Sequence, residues 1–126
     1  MTLEDYTASQ GQLHGSQCFE IVSQICQILE GLHEAKYTFN DLKPDNIMLS
    51  SRNTNEVGVS LIDYGYAARY KNGSRHISED TAKDKFQGNM LFASLNQLNF
   101  KNTSRLDDII SLVHLLFYLF NRNELP

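Results

Sequence analysis

The chain has 126 residues, enough for one domain whose core buries roughly two-thirds of the surface the unfolded form exposes. Hydrophobic and charged fractions of 41% and 21% are those of an ordinary globular protein rather than a disordered or membrane-embedded one. A net charge of -4 argues against nucleic acid or an anionic membrane as the main partner, because binding phosphates needs a basic excess.

Met1 is followed by the acidic, polar "TLEDYTASQ", which reads as no secretory signal. Leu3 to Gln10 predicts a short first helix, ended by the Gly11 to Gly15 stretch. Ser16 is the expected N-cap of a second helix, with Glu20 in its first turn. Phe19, Val22, Ile25, Cys26, Ile28, Leu29 and Leu32 recur at helical spacing and carry this amphipathic helix to about Ala35. Cys18 and Cys26 on one helix lie ~12 Å apart along its axis, too far for a disulfide. They read as reduced core or interface thiols in an intracellular protein, cytoplasmic or nuclear.

A polar loop from Asn40 to Asn46 follows, because Pro44 lacks a donor and biases Lys43 away from helix. "IMLS" and "VSLI" read as short strands joined by the hairpin-like "SRNTNEVG". From Asp63 to about Asn102 no period persists, and a loop of that length in a compact domain is usually functional. Within it "KNGSRH" reads as a solvated turn, and Ser74, Ser78 and Thr81 are hydroxyls open to phosphorylation. The apolar "IISLVHLLFYLF" falls short of the ~20 residues a membrane span needs. It predicts a closing helix, roughly Arg105 to Phe120, buried on all sides. The expected fold class is mainly α with a small β-hairpin.

Asp41, Lys43 and Asn46 sit within six residues on the loop, and Asp63 ends the next strand. If the strands pair, Asn46 and Asp63 come to the same end of the hairpin. Two hard oxygen ligands there, with room for water and phosphate oxygens, suit Mg²⁺. Asp41 stands near as a carboxylate able to accept a hydroxyl proton, and Lys43 can hold charge developing on a transferred phosphoryl group. This is a layout for phosphoryl transfer. His14, His76 and His114 have no second ligand at metal spacing, which argues against zinc.

"DLKPDNIML" followed by "LIDYG" resembles the catalytic loop and metal-binding Asp-Phe-Gly of eukaryotic protein kinases. The resemblance implies Asp41 as the base, Lys43 as the Ser/Thr-type lysine contacting ATP, and Asn46 and Asp63 as magnesium ligands. "FQGNMLFASLN" and "SRLDDIISL", ending in "NELP", resemble the casein kinase 1 group, and "VSLIDYGYAARY" the related vaccinia-related kinases. By this resemblance Asp108 anchors the catalytic-loop backbone from below, and His33 is a packing histidine. The implied cofactors are ATP and Mg²⁺, and the implied partners are protein substrates with Ser or Thr.

The chain also departs from the pattern. Phe39-Asn40 replaces the family's His-Arg. Phe39 can serve as an apolar packing element, whereas Asn40 cannot pair with a phosphorylated activation loop as the arginine does. Phosphorylation of the segment after Asp63 is therefore not expected to be a required on-switch. Leu91 stands where the casein kinase 1 group usually has an arginine, which weakens any expected preference for pre-phosphorylated substrates. No G-x-G-x-x-G and no V-A-I-K strand occur. The resemblance thus covers residues 1–126 as the core of a kinase large lobe without the ATP-binding small lobe. A pseudokinase, a regulatory binding module, or a truncated gene fragment that needs a partner to cover exposed lobe faces are the rival expectations.

Overall fold

Thr2 starts the first helix by a reciprocal cap. Its hydroxyl accepts from Asp5 N at 3.0 Å, while its own N–H donates to Asp5 Oδ2 at 3.2 Å. The computed structural model describes residues 1–53, 56–78 and 83–125. Helix α1 spans Leu3–Gln10 and ends where Gly11 turns left-handed at φ 81°.

Helix α2 spans Gly15–Glu34 with His14 as its cap, two residues before the predicted Ser16. The Gln17 side-chain oxygen accepts the N–H of His14 at 3.0 Å, so the helix entry is tied at His14 instead. Cys18, Ile21, Ile25 and Leu29 form its buried stripe. Phe19 and Cys26, predicted to share that stripe, are exposed. Both sit about 100° around the helix from Cys18 and Ile25, and Phe19 instead meets Phe120 edge-on, with ring centroids 5.6 Å apart. Cys18 and Cys26 are both free thiols.

Strand β1 is Tyr37–Thr38, and a single 3₁₀ turn over Pro44–Asn46 interrupts the predicted loop. β2 (Ile47–Asn53) and β3 (Glu56–Leu61) form the predicted antiparallel hairpin in register Ile47↔Leu61, longer than "IMLS" and "VSLI". Thr54 and Asn55, within the predicted "SRNTNEVG" connection, lie outside the described residues. Gln24 of α2 holds the free edge of β3, donating to Val57 O (2.8 Å) and accepting from Val59 N (3.1 Å).

The long segment after Asp63 holds more order than its sequence announces. β4 (Ala68–Arg69) pairs with β1, and β5 (Lys71–Asn72) with β6 (Arg75–His76), so "KNGSRH" is a small exposed hairpin with Ser74 at its turn. Ser78 follows β6, and its carbonyl accepts from Asn102 Nδ2; Thr81 is outside the described residues. Ser94 caps the short helix α3 (Leu95–Leu98).

Helix α4 spans Arg105–Phe120, as predicted, but is not buried on all sides. Leu112, Leu115 and Leu119 pack against α2 and the loop, whereas Leu106, Ile109, Val113, Phe117 and Phe120 are exposed on an outer stripe. The described chain packs mainly on the inner face, and on the outer stripe Phe120 meets Phe19. The core joins α1, α2, α4 and the hairpin through Leu3, Ile25, Leu29, Phe39, Ile47 and Leu115. The fold is mainly helical, with three two-stranded ladders among the described residues where one hairpin was expected. Among the described residues no helix is long and apolar enough to cross a membrane.

Candidate active site

The loop between β1 and β2 is held from below by a carboxylate on α4. Asp108, only 1% exposed, accepts Phe39 N at Oδ2 (2.8 Å) and Asn40 N at Oδ1 (2.9 Å). Its Oδ2 also lies 2.7 Å from His33 Nε2. A carboxylate only accepts, so Nε2 carries the hydrogen in this contact. His33 therefore joins the end of α2 to the same anchor, and its carbonyl accepts the Tyr70 hydroxyl at 2.7 Å.

Above that anchor, Asp41 is also 1% exposed. Its Oδ2 accepts from Asn46 Nδ2 at 2.7 Å and lies 3.3 Å from Lys43 Nζ. Asn46 Nδ2 donates again to the Asp41 carbonyl at 2.9 Å, which closes the loop on itself. Asp41 Oδ1 is buried and has no hydrogen-bond partner. A buried carboxylate oxygen without a donor is costly and uncommon.

The hairpin register brings Asp63 beside Asn46: Ile62 N donates to Asn46 O at 2.9 Å, and Asp63 is the next residue. Asp63 is exposed and left-handed (φ 60°), and its Oδ1 accepts Gly65 N at 3.1 Å. A Cβ at Gly65 would stand 3.0 Å from that oxygen, so the tight Asp-Tyr-Gly turn favours glycine. No contact joins the side chains of Asn46 and Asp63. The donor set nevertheless fits a hard divalent cation. Both Asn46 amide hydrogens are committed to Asp41, so its carbonyl oxygen remains to ligate, and Asp63 adds a carboxylate oxygen at the same hairpin end.

Phe39 is fully buried, and its ring meets Tyr64 edge-on at 5.2 Å, packing the loop against the Asp-Tyr-Gly turn. Leu91 is exposed, with its N–H on Asn89 Oδ1. Arg69 leans over the Tyr37 ring, 5.3 Å from its centroid, and donates to the Tyr37 hydroxyl.

A family comparison adds to this geometry. The protein kinase domain family matches residues 1–125. The chain belongs to the protein kinase family. Among curated relatives, this kinase chain is 33% identical over 129 aligned residues to casein kinase 1-like protein HD16 of Oryza sativa subsp. japonica, covering 99% of the chain and 18% of that relative. Against casein kinase I homolog RAG8 of Kluyveromyces lactis it is 32% identical over 109 residues, covering 84% of the chain and 20% of the relative. Against casein kinase I homolog 2 of Schizosaccharomyces pombe it is 33% identical over 108 residues, covering 82% and 24%. The kinase chain therefore spans between 18% and 24% of the length of these relatives.

Sequence reasoning missed the second tier of this site. Gln97 Nε2 donates to the Asn40 carbonyl (2.7 Å) and the Gln87 carbonyl (3.2 Å). Asp107, buried beside Asp108, accepts the Ser94 hydroxyl at 2.6 Å and Ser104 N at 2.7 Å. Lys83 donates to Gln87 Oε1, and burial pushes its ammonium pKa down against the pull of Asp107. Nothing local pointed at Gln97.

Proposed function

We propose that this chain carries the phosphoryl-transfer centre of a protein Ser/Thr kinase of casein kinase 1 type. The observation that carries the reading is Asp41: one oxygen is held by Lys43 and Asn46, and the other is buried and unpartnered. That geometry suits acceptance of a proton from a Ser or Thr hydroxyl as its oxygen attacks the γ-phosphorus of ATP. The new O–P bond forms as the bond to the β-phosphate oxygen breaks, the leaving diphosphate keeps the electron pair, and Asp41 Oδ1 keeps the proton.

Lys43 does two jobs in this reading. It orients Asp41 through Oδ2, and it offsets negative charge spreading over the moving phosphoryl group. Asn46 fixes Asp41 through two bonds from one nitrogen and leaves its carbonyl oxygen free to ligate a metal. Magnesium, when bound through Asn46 and Asp63, supplies charge neutralisation on the phosphate oxygens. Asp108 and His33 are positioning residues beneath the loop.

The test is transfer of labelled γ-phosphate to an acidic Ser/Thr peptide, by the chain alone and by a chimera carrying the ATP-binding lobe of a casein kinase 1 relative. The chimera is expected to turn over and its Asp41→Asn variant to lose activity by orders of magnitude, with the chain alone inactive. A chimera that binds ATP and Mg²⁺ but transfers nothing would favour a second reading, a regulatory binding module. The exposed apolar stripe on α4 is the observation behind that alternative.

A further inference from the structure

Three separate parts of the chain meet at Asn40. Its backbone is left-handed, φ 67°, a region that asparagine enters more readily than most residues. Its N–H is bound by Asp108 of α4, and its carbonyl accepts from Gln97 Nε2. Its side-chain Nδ2 donates to the Tyr66 carbonyl at 2.9 Å. Gln97 also reaches the Gln87 carbonyl, and Gly88 lies so close that a Cβ would stand 2.3 Å from the Asn40 carbonyl oxygen.

Tyr66 and Gln87–Gly88 belong to the near and far parts of the segment that follows Asp63. Both are thus tied to the residue immediately before Asp41. At the near tie, a neutral amide meets a neutral carbonyl in a site where Asn40 is 3% exposed. A cation placed there would need an anion beside it, because an unpaired buried charge is expensive. The amide needs no counter-charge, although its Oδ1 is buried without a partner.

We propose that the Asn40 side chain is a built-in latch on this segment. Its bond to Tyr66 fixes the turn that carries Asp63 against the loop that carries Asp41 and Asn46, with no phosphoryl group required. What the latch positions rests on the phosphoryl-transfer reading; the latch itself does not. Asn40 is a positioning residue, acting through Asp63 and Asp41.

The test uses the unphosphorylated 126-residue chain and needs no turnover. By NMR, the Asn40 Nδ2 proton directed at Tyr66 is expected to exchange about tenfold more slowly than a free side-chain amide, and the Ala67 and Tyr70 amides to be protected. Asn40→Gly keeps the left-handed backbone at no cost and removes the latch; Asn40→Asp keeps the size and removes the donor. Both are expected to raise exchange at Ala67 and Tyr70 about tenfold while α2 and the β2–β3 hairpin keep their protection.

Mn²⁺ alone supplies a second readout. In the parent it is expected to broaden Asn46 and Gly65 resonances at the same concentration, and in the variants Asn46 first. Two results overturn the latch. One is parent-like exchange at Ala67 and Tyr70 in Asn40→Gly, which would leave only a backbone role. The other is a parent whose Asn40 amide and Ala67–Tyr70 segment exchange freely. If Mn²⁺ broadens neither residue in the parent, the metal reading fails and the exchange data still decide the latch.

Discussion

Replacing Asp108 by asparagine keeps the shape of the anchor and removes its charge. The native carboxylate accepts two backbone N–H groups and the His33 ring, all in a site 1% exposed. In Asp108→Asn the remaining oxygen can stay on Asn40 N, which turns the new NH₂ toward Phe39 N and His33. The histidine can change tautomer and accept, but the Phe39 N–H cannot. One buried backbone donor is then orphaned, at about 1–3 kcal/mol, and the surviving bond loses its charge assistance, about 1 kcal/mol more. The sum is about 2–4 kcal/mol, which at typical urea slopes lowers the unfolding midpoint by about 1–2 M. Urea titration by circular dichroism reads this directly, with the exposed Asp84→Asn as control. Faster exchange at the Phe39 and Asn40 amides should accompany it. A shift within about 0.5 kcal/mol, no larger than an ordinary surface substitution, would refute the anchor.

Gly88→Ala places a Cβ against the Asn40 carbonyl at φ +115° and should cost more than about 2 kcal/mol. Gly31→Ala, helical with open space around it, should instead gain about 0.5–1 kcal/mol in the same urea assay. The Thr2 hydroxyl and N–H hold the Asp5 pKa below its ordinary value of 3.8, so its support of α1 is complete above the unfolded carboxyl pKa and lost as pH falls through the lowered native one. An NMR titration should show that low midpoint, moving up part of the way in Thr2→Val, which removes the hydroxyl and keeps the N–H. At high concentration the chain should sediment as more than a monomer through the α4 stripe. Val113→Lys with Phe117→Glu should return it to a monomer, with the melting temperature unchanged within about 2 °C.

The part of the site most legible in sequence is the part fixed by short covalent spacing. Asp41, Lys43 and Asn46 lie so near in the chain that a tight loop leaves them few ways to avoid one another, and the Asn46–Asp41 bond spans five residues. α1 and α4 were legible for a related reason: the Gly11 to Gly15 stretch ends the first, and a continuous apolar run marks the second. The start of α2 was misplaced by two residues, Ser16 for His14, because the Gln17 side-chain oxygen reaches back to the His14 N–H. Ladders such as β1–β4, two residues a strand, are too short to show any alternation. The Gln97–Asn40 bond joins residues 57 apart, and a glutamine in a polar stretch carries no local sign of where its amide ends up.

The adjacent acids of "SRLDD" show why the site depends on a helix rather than on its loops alone. Neighbouring residues on a helix point about 100° apart, so the two buried carboxylates of α4 serve different clients. Asp108 turns to Phe39 and Asn40, while Asp107 turns to Ser94 and Ser104. Their burial is tolerable because each is met by N–H or O–H donors and both sit in the first turn, where the helix dipole favours negative charge. One turn of α4 therefore sets the spacing between the loop that carries Asp41 and the segment that carries Ser94. A substitution at either acid shifts one client relative to the other, so positional errors at Asp41 can arise from residues that never approach a substrate. The helical period alone could not show this division. It marked α4 as apolar, but the inner face owes its position to two acids, and the outer apolar stripe stays exposed, with Phe19 against Phe120 at its end.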